Sequence, residues 1–172
     1  MKNFSYSSFR LRNASFELRL VYSLFLIFIL LGLATTWGFQ FQRIGLSYDR
    51  IVTYYRGGEI QGQVFFPKNI NVLLEETHFH TFMMSVIFLI LAHLFLGTSL
   101  RKGAKTLIIV ATFFSHIGDM AGTWLIRLCS PIFAYLLLAS WVGLWISYSA
   151  MVLIPLHEMW LTGNSSTEQR FT

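Results

Sequence analysis

Residues 20–39 read LVYSLFLIFILLGLATTWGF, twenty positions without a charge. A helix rises about 1.5 Å per residue, so this stretch covers the roughly 30 Å hydrocarbon core of a bilayer. No water is present there to satisfy bare peptide groups, so a segment in lipid is helical. Three further stretches have the same character: 80–100 with a helical lead-in from Asn71, 106–126, and 131–160. The last is longer than a span needs, so it is expected to tilt, with Pro155 placed to kink its end. The predicted fold is all-α, an integral membrane four-helix bundle. A partly ordered extracytoplasmic loop over 40–77 joins the first two helices, and residues 1–172 form one transmembrane domain.

Composition agrees. The chain is 55% hydrophobic and 12% charged, against about 25% charged in a soluble domain. The net charge of +5 does not point to nucleic acid, because the basic residues flank apolar runs instead of forming one patch. Cys129 is the single cysteine, which excludes an intrachain disulfide and the CxxCH attachment of c-type haem. Arg10, Arg12 and Arg19 before the first run also suit a signal peptide. The run is long for one and no A-x-A-like cleavage site follows, so it is read as a retained helix.

Lys2, Arg10, Arg12 and Arg19 precede the first span, and Arg101, Lys102 and Lys105 crowd the link between the second and third. The positive-inside rule therefore predicts cytoplasmic termini in a bacterial inner membrane, with the 40–77 loop outside. Arg43, Arg50, Arg56 and Lys68 in that loop count against this. The loop is rich in aromatic residues, too apolar for a disordered linker, and is expected to lie folded on the membrane face. Asn69 or Asn71 is placed to cap the helix that enters the second span.

Ionisable groups inside a bilayer are costly, so those present are functional candidates. They are His78 and His80 at the outer edge of the second span, His93 toward its inner end, His116 and Asp119 in the third, and His157 with Glu158 at the inner end of the fourth. His78 and His93 lie about 60° apart around the helix and about 22 Å apart along it, broadly on one face. Glu75 and Glu76 lie about one turn before His78 and His80, within reach to fix an imidazole tautomer. His116 is a plausible opposite ligand to His93, and Met120, one turn outward of His116, is a further haem donor. Each of these has a structural alternative: a hydrated interfacial His, a His bonded to a backbone carbonyl, or a His116–Asp119 hydrogen bond. Gly118 and Gly122 form a GxxxG pair, and Gly32, Gly97 and Gly143 are also expected at close helix contacts. Trp141 and Trp145 are placed to line a cofactor edge or to pack.

Two His on one helix face resemble the ligand ladder of membrane b-type cytochromes, in architecture and spacing only. That resemblance implies haem b held between helices. The strings Glu76-Thr77-His78-Phe79-His80, His93-Leu94-Phe95, Trp124-Leu125-Ile126-Arg127, Ser130-Pro131 and Pro155-Leu156-His157-Glu158-Met159-Trp160 resemble a group of small four-helix bacterial inner-membrane proteins. This second resemblance implies the fold and the membrane but no activity.

Three functions follow as expectations. The first is a haem b-binding electron-transfer subunit that links a quinone pool to a partner on the outer face, with His78, His80, His93, His116 and Met120 as candidate ligands. The second is a copper or zinc site at the outer interface, drawing on Glu76, His78, His80 and Glu75, with His93 and His116 as further candidate metal ligands. The third is a cofactor-free structural or assembly subunit of a larger membrane complex. No nucleotide loop, HExxH or Ser-His-Asp pattern supports a stand-alone enzyme, and no catalytic residue is assigned.

Overall fold

The computed structural model describes residues 10–161. Four helices in it are long and apolar enough to cross a membrane. The first, α1 (Phe16–Arg43), starts at Ser15, whose side chain accepts from the Leu18 amide. It runs four residues beyond the predicted span at each end. An amphipathic helix, α2 (Tyr48–Arg56), follows Ser47, whose side chain accepts from the Arg50 amide. Strands β1 (Gly58–Ile60) and β2 (Gln63–Phe65) then pair antiparallel, with Ile60 opposite Gln63. The two-residue connection Gln61-Gly62 has positive φ at both positions, as a twisted hairpin turn requires. This hairpin is a small departure from the all-α expectation. Asn69 caps α3 (Ile70–Leu96) by accepting from the Asn71 amide, so the cap lies at the first of the two candidates. α3 ends four residues before the predicted boundary. The remaining helices are α4 (Lys102–Leu128) and α5 (Ala134–Leu161), the latter entered through a 3-10 turn at Pro131–Phe133. α5 continues past Pro155 to Leu161.

The end of the bundle that carries residues 44–69 is called the cap end, and the end with the α3–α4 turn the tail end. At the tail end Leu26, Leu91, Phe95, Met151 and Met159 share one core, which joins α1, α3 and α5. The Leu11 amide donates to the Gly97 carbonyl, and Glu158 accepts from the Ser99 amide at 2.7 Å. At the cap end Ile51 and Tyr55 of α2 pack against Leu73, Ile126, Leu137 and Trp141. The predicted loop is thus a folded cap. Two arginines fasten it to the end of α4: Arg56 donates to the Ile126 carbonyl and Arg127 to the Lys68 carbonyl, each at 3.0 Å. Both meet the carbonyl-rich terminus of a helix or the strap beside it, where backbone acceptors lack intrahelical donors.

α4 and α5 form the most extensive helix pair. A methyl group at Gly122 would stand 3.3 Å from the Leu137 Cβ, and one at Gly118 would collide with the Ser140 hydroxyl. Gly143 lies equally close to Ser115. The GxxxG expectation therefore holds. Gly32 differs, since nothing lies within 4 Å of a Cβ built there; its helix face has no helix against it. Gly122→Leu is accordingly expected to destabilise the bundle by about 1–3 kcal/mol through overpacking. The measurement is a lowered Tm in detergent, with Gly32→Leu unchanged as the control.

Candidate functional site

In the tail half α1 and α3 share a core; in the cap half they enclose a cavity of about 320 Å³. This volume falls at the low end of the usual range for small-molecule sites. α1 supplies Thr36, Phe39 and Gln40, the residue just after it, Ile44, adds to the same wall, and α3 supplies Leu73, Glu76, Thr77 and His80. α4 contributes Asp119, Met120 and Thr123, α5 contributes Trp141, and the cap closes the top with Tyr54, Tyr55 and Lys68.

The roof is built around Lys68. Its amide donates to the Tyr55 carbonyl at 3.2 Å. Its ammonium pairs with the Glu76 carboxylate, donates to the Tyr54 hydroxyl at 3.3 Å, and lies 4.8 and 5.2 Å from the centres of the Tyr54 and Tyr55 rings. A carboxylate and two aromatic faces together compensate for the water that this ammonium has lost. The Lys68 side chain is only 9% exposed, whereas that of Glu76 is 44% exposed. Tyr55 is buried, and burial, with the Asp119 carboxylate nearby, pushes its phenol well above the ordinary range. It stays a neutral hydroxyl at physiological pH.

The walls hold three polar side chains of different character. His80 Nδ1 bonds the Glu76 main-chain oxygen at 2.8 Å. A carbonyl only accepts, so Nδ1 carries the hydrogen, and in the neutral ring Nε2 is the lone-pair acceptor. Glu76 was expected to reach His80 through its carboxylate. Instead the carboxylate turns to Lys68, which offers a full positive charge, and the carbonyl one turn back meets the ring. Asp119 Oδ1 accepts from Trp141 Nε1 at 2.8 Å, and Met120 Sδ lies 3.9 Å from the Thr81 hydroxyl. The cavity thus offers one acceptor imidazole, one carboxylate anchored by indole, one thioether and several aromatic faces.

The candidate residues do not form one site. Glu76, His80 and Met120 reach the cavity. His78 lies exposed on α3 with its ring 5.1 Å from that of Phe82. His93 is exposed too, outside the cavity. His116 Nε2 bonds the Tyr148 hydroxyl of α5, with the Phe88 ring at its edge. His116 and Asp119 are therefore satisfied by α5 and not by each other. Among the described residues no three His, Cys, Asp or Glu side chains converge as a metal-binding group. Of the two tryptophans, Trp141 faces the cavity, whereas Trp145 stacks edge-on against Trp37 with ring centres 4.4 Å apart.

Lys68, Tyr54 and Tyr55 were not singled out as site residues from sequence. Their available signal was the aromatic density of a loop that also holds a lysine shortly before a helix-capping Asn.

A sequence family described as a transmembrane helical domain matches residues 45–166, which take in the cap and α3 to α5. No curated protein and no solved structure matches the chain.

Proposed function

We propose, given that the chain belongs to the Aq_1264_TM family of transmembrane helical domains, that it binds the polar ring of a lipid-soluble quinol in the cavity under its cap. It would serve there as a redox or accessory subunit of a larger membrane complex. The observation that carries this reading is the placement of His80, whose Nδ1 is engaged by its own helix, in the wall of a cavity lined by aromatic rings and a carboxylate. A quinol is a flat ring with hydroxyl donors, and it matches both features. His80 would accept one hydroxyl hydrogen, and the aromatic side chains would cover the ring. Binding of a short-tailed quinol to the protein in nanodiscs tests this, with saturation expected in the wild type.

A haem-binding redox subunit is the second reading. What favours it is that His80 and Met120, an imidazole and a thioether, line one cavity. Haem bound there would supply a one-electron carrier, held by those two side chains. A reduced-minus-oxidised absorbance spectrum of protein expressed with haem supplied is expected to show Soret and alpha bands under this reading, and their absence rejects it.

The cap end is assigned to the extracytoplasmic side of a bacterial inner membrane. Arg10, Arg12, Arg19, Arg101, Lys102 and Lys105 cluster at the tail end, which favours a cytoplasmic location for it. Arg56, Lys68 and Arg127 at the opposite end are engaged in holding the cap. Cys129 gives a direct check, since it is the single cysteine, exposed, at the cap end of α4. A membrane-impermeant maleimide added to spheroplasts is expected to label it. Labelling only after lysis would reverse the orientation.

A further inference from the structure

The cavity's walls differ in exposure. Overhead it is closed: Tyr55 is 4% exposed and the Lys68 side chain 9%. At its side, Thr36 and Phe39 of α1 and His80 of α3 are all exposed, Phe39 at 55%. These rim residues lie on the two long apolar helices, toward their cap ends. The core that Leu26 of α1 shares with Leu91 and Phe95 of α3 lies at the tail end, whereas at this level α1 and α3 face each other across the cavity.

We propose that the cavity opens sideways into the bilayer through the gap between α1 and α3, and so takes a ligand whose polar ring carries an apolar tail that leaves through this gap. The inference rests on the quinol reading and specifies its substrate class: a membrane-dissolved, tailed compound instead of a small aqueous one. The physical basis is that an open apolar slot beside lipid admits a chain with no loss of hydrophobic contact, while the closed roof bars entry from water. Thr36 lies on the side of the rim nearest the membrane centre among the α1 wall residues. Its hydroxyl bonds the Gly32 carbonyl within its own helix, so its replacement disturbs no contact between helices.

The test compares two probes in nanodiscs, a decyl-tailed benzoquinol and the same ring without a tail, both kept reduced. The variant is Thr36→Trp, which fills the gap, and the control is Leu153→Trp at an exposed position on α5. Each comparison is made against wild type for one probe, so partition into lipid cancels. With tryptophan in the gap the tailed ring can seat only by forcing that side chain aside, an overpacking cost that amounts to roughly a tenfold loss. Thr36→Trp is therefore expected to weaken the tailed probe about tenfold more than the tail-less ring, with Leu153→Trp altering neither. Equal weakening of both probes, or weakening of neither, overturns the lateral gap while leaving the head-group site intact. Failure of the tail-less ring to bind wild type overturns the quinol reading itself.

Discussion

His80→Ala is expected to weaken the binding of a short-tailed quinol about tenfold, and His80→Gln less. The hydrogen on Nδ1 is engaged by the Glu76 carbonyl at 2.8 Å, so in the neutral ring Nε2 is the acceptor. Alanine removes that acceptor and leaves a ligand hydroxyl without a partner inside the cavity. An unsatisfied polar group of this kind costs about 1–3 kcal/mol, and about 1.4 kcal/mol is a factor of ten. Glutamine keeps an oxygen that can accept. The check is a binding isotherm in nanodiscs together with the Tm of each variant. The ring is exposed and makes its one hydrogen bond within its own helix, so the Tm is expected to stay near wild type. Loss of binding together with a large fall in Tm would mean that His80 is structural.

Lys68→Met is expected to loosen the cap while the spans stay folded. Lys68 pairs with Glu76, reaches the Tyr54 hydroxyl and lies over two tyrosine rings, and methionine retains only the apolar contact. Breaking a fully buried ion pair costs about 3–5 kcal/mol. Glu76 is 44% exposed and regains water once its partner is gone, so the expected cost is lower, about 1–3 kcal/mol. It falls on the cap, because Lys68 is the residue through which Tyr55 and Arg127 tie the strap down. Limited proteolysis is expected to cut faster within 57–67, and hydrogen exchange to rise in α2 but not in α4 or α5. Lys68→Met combined with Glu76→Gln is expected to recover part of the loss, since no carboxylate is then left without its cation. Uniform destabilisation of all helices would contradict this account of the roof.

The spans are legible in sequence because lipid leaves the chain one solution, and hydropathy reports it directly. Asn69 and the pair Gly118 and Gly122 are legible for similar reasons, since each acts through local geometry that spacing records. The opposition of His93 and His116 could not be read the same way. A helical wheel places a residue around its own axis and says nothing of how that helix turns toward its neighbours. The small residues at 118, 122 and 143 draw α4 tightly onto α5, which brings His116 to Tyr148 and leaves His93 on an open face of α3. The cap was harder still. Its strands have three residues each and its turn is Gln61-Gly62, without the Asn-Gly or Asp-Gly that marks such hairpins. Lys68 reads in sequence as one more topology charge. Only the folded cap shows that it is buried over two aromatic rings.

The same distinction explains what the site contains. Glu76, His80 and Met120 were candidates because each is a good donor near a membrane edge, and the cavity brings these three together. Asp119 joins them through its position on α4, one residue before Met120, and is held by an indole from α5 that no local pattern links to it.

Photolabelling with an azido-substituted quinone, followed by mass spectrometry of the peptides, tests the central claim most directly. The expected result is adducts on peptides that contain residues 73–80 and 119–123, suppressed by excess unlabelled quinone and reduced in His80→Ala. Adducts spread over the lipid-facing surfaces of all four spans, unaffected by competitor, would contradict it.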